Sequence, residues 1–195
     1  NNDNDEDISN SSLNKNHQIS WDDVPVHDVI IIGSGPAGST AGLYLGRSGY
    51  KPLILHGHQS GGQLTMTCEV ENFPTFKGTG TQLVRAIQSQ AEQSGSIFIE
   101  DTIITANLTV NPKRLTSLNG RQYRSKTVII ATGAKARTLG LKSEQKYMNK
   151  GVSFCASCDG QLFKGQKVAV IGGGDSALTE ALMLSKLCSS VTLIY

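Results

Sequence analysis

The chain has 195 residues, room for one ordinary domain or two small ones, with 21 glycines, few aromatics and a formal net charge of +2. That balance gives no electrostatic case for nucleic acid or a membrane surface, and no apolar run reaches the roughly 18 residues a bilayer crossing needs. Four cysteines (Cys68, Cys155, Cys158 and Cys188) do not make a secreted disulfide framework at this length, so a reducing, cytoplasmic setting is expected.

From Asn1 to about Trp21 the sequence is rich in Asn, Ser and Asp, with four acids between Asp3 and Asp7. Such a stretch cannot bury enough apolar surface to offset its ordering entropy, so residues 1–26 are expected to be a disordered polar tail. It is too acidic for a transit peptide. Order is expected from His27. Asp28-Val29-Ile30-Ile31-Ile32 reads as a strand buried on both faces of a parallel sheet, and Gly33-Ser34-Gly35-Pro36-Ala37-Gly38 follows at once, opening a helix to about Arg47. Strand, GxGxxG and helix in that order predict a dinucleotide site, with the pyrophosphate on the helix N-terminus. Gly38, Gly42 and Gly46 fall on one face of that helix, at a cost of about 1 kcal/mol of helix propensity each.

Lys51 to Leu55 reads as the second strand. Such strands often end in an acid for the ribose hydroxyls, and here the position holds His56. His56 and His58 read as ordinary loop residues. The stretch from Gly57 to about Gly80 has no periodicity and reads as one long loop; its glycine pair Gly61-Gly62 and its amides suit a backbone wrapped around a flat polar ring. Thr81 to about Gln93 has the apolar spacing of an amphipathic helix. Ile97 to Val110, Leu115 to Leu118 and Tyr123 read as a small antiparallel meander turning at Asn119-Gly120, and Thr127 to Ala131 as another buried strand.

The polar stretch from Ala134 to about Gly151 marks a linker. A second unit follows: Cys155-Ala156-Ser157-Cys158-Asp159-Gly160, a strand Lys167–Ile171, the loop Gly172-Gly173-Gly174-Asp175-Ser176-Ala177, a helix to Leu187 and a last strand from Val191 to Ile194. Two cysteines separated by two residues can close an easily opened disulfide, and such a pair exchanges with partners rather than stapling a fold. Beside a nucleotide loop it suggests electrons passing from a nicotinamide to a disulfide, which calls for a two-electron relay such as a flavin. A CxxC can also be half of a zinc site, but zinc would want a second pair or histidines, and no histidine follows His58. No metal is expected, and Cys68 and Cys188 read as buried small hydrophobes. A second sheet of two strands is too small to bury a core, so the chain is expected to be truncated at its C-terminus.

From about His27 to Tyr195 the sequence closely resembles low-molecular-weight thioredoxin reductase. Gly33–Gly38, Gly61–Leu64, Glu69–Pro74, Ile130–Gly133, Cys155–Gly160 and Gly172–Ala177 carry the resemblance in that order, together with Gly140-Leu141-Lys142-Ser143-Glu144. It implies an α/β chain of two Rossmann-like, three-layer ββα dinucleotide-binding domains, both incomplete here. An FAD domain would cover 27–136, a linker 137–141 and an NADPH and redox-disulfide domain 142–195. Gly33, Ser34, Gly35, Pro36, Ala37 and Gly38 would hold the FAD pyrophosphate. Gly61, Gly62, Gln63, Leu64 and Asn72 would contact the flavin, and Ala131, Thr132 and Gly133 would close over it. Gly172, Gly174, Asp175, Ser176 and Ala177 would receive NADPH. Cys158 would be the flavin-proximal thiol, Cys155 the thiol that attacks thioredoxin, and Asp159 the acid–base group. The resemblance also implies a homodimer with thioredoxin as partner, and a hinge crossing near Ala134 to Gly140. Thr179-Glu180 departs from the family's two adjacent acids. The related readings are the flavoprotein of an alkyl hydroperoxide reductase, a ferredoxin-fed reductase, and a nucleotide-binding protein without turnover.

Overall fold

The computed structural model describes residues 20–195. The expected tail up to residue 19 lies outside the described residues. From Ser20 the chain is already held. Trp21–Asp23 form a 3-10 turn capped by Ser20, and Arg124 Nη1 donates to the carbonyls of Trp21, Asp22 and Val24 at 2.6, 3.1 and 3.2 Å. The Arg114 guanidinium sits 5.2 Å from the Trp21 ring centre. Order therefore begins before His27, because two distant arginines grip a stretch whose own composition is polar.

In chain order the elements are β1 (Val26–Ile32), α1 (Pro36–Arg47), β2 (Leu53–His56), β3 (Val70–Phe73), β4 (Phe76–Gly78), α2 (Gly80–Gln93), β5 (Ile97–Glu100), β6 (Ile103–Asn107), β7 (Lys113–Ser117) and β8 (Gln122–Ile130). Then come α3 (Lys142–Tyr147), α4 (Ala156–Asp159), β9 (Lys167–Ile171), α5 (Asp175–Leu184) and β10 (Ser190–Ile194). Mutual contacts divide them into two units: the chain up to Ser60 with Gln88–Ala131, and Gly61–Ile87 with Thr132–Tyr195. No helix among the described residues is long and apolar enough to cross a membrane.

The first unit is built on a six-stranded sheet in the order β5-β2-β1-β8-β7-β6. The four strands from β5 to β8 run parallel, and β6, β7 and β8 are antiparallel to one another. The unbroken β-branched run of β1 explains its central place: Ile30 and Ile31 are both fully buried, one on each face. Val29, Ile31 and Ile54 pack beneath Ala41 and Leu45 of α1. Ile30, Leu53 and Leu55 pack with Leu115 and Tyr123 from the antiparallel strands. Helix, parallel sheet and meander are the three layers of the expected ββα arrangement. Each such side chain contributes about 1.5–3 kcal/mol by leaving water.

Two expectations for this unit fail. Ile97 does not open the meander; β5 pairs parallel with β2, from Leu53↔Ile97 to His56↔Glu100. Spacing alone cannot tell a parallel edge strand from a hairpin strand, because the pairing partner is distant in sequence. Tyr123 and the Thr127 run are also not separate strands. β8 is continuous, parallel to β1 over Arg124–Ile130 and antiparallel to β7 over Gln122–Ser125.

In the second unit, β9 and β10 pair parallel, from Lys167↔Ser190 to Ile171↔Ile194. The stretch read as one long loop has structure: Gly62–Met66 is a 3-10 turn, and β3 and β4 form a hairpin through Pro74-Thr75, where Thr75 takes φ 67°. α5 ends at Leu184 rather than Leu187, because Leu187 turns back to take Gly165 N–H on its carbonyl. Cys68 is exposed and Cys188 half-buried, so neither is the buried hydrophobe expected.

Candidate active site

The first glycine loop leaves β1 with Gly33 at φ 111°, its N–H donating to the Leu55 carbonyl at 2.8 Å. α1 then starts at Pro36, where the missing N–H costs nothing. A Cβ on Gly38 would lie 2.0 Å from the Gly33 carbonyl oxygen, so only glycine lets helix and loop meet this closely. Gly35 caps α1 without a side-chain hydrogen bond, leaving the first N–H groups of the helix open to an anion. The sequence reading missed how this loop is held. Ser39 Oγ (3.0 Å) and Gln88 Nε2 (3.2 Å) both donate to the Ser34 carbonyl, and Gln88 Nε2 also reaches Ser60 Oγ at 3.0 Å. Gln88 comes from a distant helix, so no local signal marks its part in the loop. At the end of β2, His56 Nδ1 lies 2.8 Å from the Gly57 carbonyl, and His58 Nδ1 meets Glu100 Oε1 at 2.9 Å.

In the second unit, two of the segments expected beside a flavin are joined. Gln63 Nε2 donates to the Ala134 carbonyl, next to Gly133. Leu64 lies in the Gly62–Met66 turn, and α2 starts so near it that a Cβ on Gly80 would fall 1.8 Å from the Leu64 carbonyl oxygen. Asn72 stands exposed on β3 and makes no side-chain hydrogen bond among the described residues. Glu144 Oε1 and Oε2 accept from the N–H groups of Leu139 and Leu141, both at 2.9 Å, closing the segment before α3. The Leu139 bond, then that of Leu141, holds the Glu144 carboxyl below the usual carboxylate range against the opposing effect of desolvation.

The second glycine loop repeats the first. Gly172, at φ 134°, donates its N–H to the Ile194 carbonyl at 2.9 Å, and Gly174 caps α5 without a side-chain bond. Asp175, Ser176 and Ala177 form the first turn of α5. The Tyr195 ring leans on this loop, within 2.0 Å of where a Cβ on Gly173 would be.

Cys155 and Cys158 form a disulfide, with their Cα atoms 5.3 Å apart. Cys155 Sγ accepts the Cys158 N–H at 3.2 Å and lies 3.3 Å from Ser157 Oγ. Asp159 closes the turn through its N–H to the Cys155 carbonyl at 3.0 Å. Ser153, which the sequence reading passed over, contacts both ends of the motif. Its Oγ accepts the Cys155 N–H at 3.0 Å and lies 2.6 Å from Asp159 Oδ2. Gly160 packs where Leu184 and Leu187 approach, which fixes the cysteine turn to the end of α5. Chemically this is a disulfide with one sulfur in reach of donors and a carboxylate one residue away. No cluster of three or more His, Cys, Asp or Glu side chains suited to a metal occurs among the described residues.

Comparison with known proteins gives a consistent result. The family described as Pyridine nucleotide-disulphide oxidoreductase matches residues 27–195. A thioredoxin reductase of Coxiella burnetii is 48% identical over 171 residues, 87% of this chain and 53% of its own. One from Streptomyces coelicolor is 46% identical over 173 residues, 87% of this chain and 54% of its own. Among solved structures, thioredoxin reductase from Streptococcus pyogenes superposes with a TM-score of 0.81 at 38% identity, over 87% of this chain and 56% of that one. The chain thus spans about half the length of the curated relatives it matches. The family match over residues 27–195 places the chain in the pyridine nucleotide-disulphide oxidoreductase family.

Proposed function

We propose that the protein carrying this chain is a thioredoxin reductase, passing electrons from NADPH through FAD and the Cys155–Cys158 disulfide to thioredoxin. The observation that carries this reading is the disulfide itself, set on the turn that packs against α5 of the second glycine loop. Both loops fit a diphosphate: each opens on a glycine at positive φ and leads to a helix whose cap leaves N–H donors free. Gly33 to Gly38 would hold the FAD pyrophosphate, and Gly61 to Leu64, Asn72 and Ala131 to Gly133 would border the flavin. Gly172, Gly174, Asp175, Ser176 and Ala177 would bind NADPH. The domains would be 27–136 and 142–195 with 137–141 as linker, in a cytoplasmic homodimer.

When bound, the nicotinamide and flavin supply two electrons to the disulfide. The Cys155–Cys158 bond then opens to a dithiol, with Cys158 on the flavin side and Cys155 facing the partner. Cys155 attacks the partner's disulfide, Cys158 displaces it from the mixed disulfide, and the internal bond re-forms as the partner leaves as a dithiol. In the disulfide the Cys158 N–H donates to Cys155 Sγ at 3.2 Å, which holds that sulfur at the start of the turn. Asp159 carries one of the two protons that follow the electrons to the partner.

The test uses the whole protein. NADPH should bleach its flavin absorbance, and Cys158→Ser should cut turnover of thioredoxin disulfide by more than about 100-fold. Turnover untouched by that substitution refutes the proposal. Bleaching by reduced ferredoxin but not by NADPH overturns the assigned donor.

A further inference from the structure

We propose that Ser153 is a positioning residue for Asp159, fixing which carboxylate oxygen carries the proton in the exchange with the partner disulfide. This rests on the reductase reading above.

Ser153 Oγ has one proton and three neighbours in reach. The Cys155 N–H, at 3.0 Å, can only donate, so the serine oxygen accepts there. That leaves one proton for either the Cys155 carbonyl at 3.3 Å or Asp159 Oδ2 at 2.6 Å. The carbonyl already accepts the Asp159 N–H at 3.0 Å, and a short O–H···O⁻ bond to a carboxylate is the stronger choice. The serine proton therefore belongs to Asp159 Oδ2. Oδ1 has no hydrogen-bond partner among the described residues, and it is the oxygen left to take up and release a proton.

The consequence follows from the balance of the exchange. The partner's S–S bond breaks, the Cys155–Cys158 bond forms, and two electrons and two protons pass from the dithiol to the partner's sulfurs. Asp159 receives a proton on Oδ1 from the thiol being oxidised and returns it to a leaving thiolate. Throughout, Oδ2 stays on the Ser153 hydroxyl, and that hydroxyl stays on the backbone of the attacking cysteine. The carboxylate thus keeps one orientation about its last bond while its charge changes. Without the serine hydroxyl, the carboxylate rotates about its last bond and presents either oxygen, or neither.

The experiment is a double-mutant cycle in the whole protein. Ser153→Ala should lower kcat with thioredoxin disulfide by about 3- to 10-fold, the range that loss of one hydrogen bond predicts, with KM little changed. Ser153→Thr keeps the hydroxyl and should recover most of the loss. In an Asp159→Asn background, removing the serine hydroxyl should cost nothing further, since the two act as one unit. Independent, multiplying losses would overturn the proposal, as would wild-type kcat in Ser153→Ala or failure of threonine to rescue. Flavin bleaching by NADPH, read on each variant, separates misfolding from this effect. The reductase reading fails instead if Cys158→Ser turns over normally, whatever Ser153 does.

Discussion

The two glycine loops are built alike but supported very differently. Gly33 and Gly172 each donate to a carbonyl at the end of the neighbouring strand, Leu55 and Ile194, at 2.8 and 2.9 Å, and the first helical bond runs from Ser39 to Gly35 in one and from Leu178 to Gly174 in the other. Every pair of counterparts has the same separation in sequence. Beneath the first loop lies a six-stranded sheet with Ile30 and Ile31 fully buried; within these 195 residues, about half the length of the relatives, two strands lie beneath the second, with Ile171 54% and Leu193 41% exposed. Loop shape is therefore local, set by φ, a strand-edge bond and a helix start.

Matched substitutions sharpen this contrast. Ile31→Ala should destabilise the protein by about 2–5 kcal/mol, read by chemical denaturation, since its side chain is fully buried between sheet and helix. The third glycine position gives a finer test, since it is Gly38 in one loop and Ala177 in the other. Gly38→Ala drives a methyl into the Gly33 carbonyl and should cost about 1–3 kcal/mol together with loss of flavin affinity, read by fluorescence titration in the whole protein. Ala177→Gly makes the loops alike and should cost only about 1 kcal/mol, from helix propensity.

The smallest effect is one of pH, and it concerns the segment between the loops. The Glu144 carboxyl is held below its ordinary range by the Leu139 and Leu141 N–H groups, so its stabilisation is present above the unfolded carboxylate value. It is lost as pH falls through the lowered folded value. Hydrogen-exchange protection of those two amides should drop on acidification through that window, and Glu144→Gln should remove the dependence. Protection insensitive to pH would show that the carboxylate does not hold the segment.

What the sequence made legible was whatever is local. β1, the start and end of α1, the span of β9 and the cysteine turn follow from runs, spacings and glycines within a few residues of one another. What escaped it was distant pairing. β5 joins β2 across the whole of α2, Arg124 reaches back to the carbonyls near Trp21, and Gln88 clasps the Ser34 loop. Ser153 escaped for another reason. It sits two residues before Cys155, but a lone serine beside a CxxC has no spacing rule, and only its distances to Cys155 and Asp159 give it a role.

Gln63 grips the Ala134 carbonyl at one end of the intervening strap, and Glu144 clamps Leu139 at the other. Between these two pegs Lys135 to Thr138 have no hydrogen bond among the described residues, a leash that pulls taut at about 18 Å when fully extended. A rearrangement of the strap that keeps both bonds must stay within that length, and Gln63, one amide on a surface turn, fixes one of its two ends.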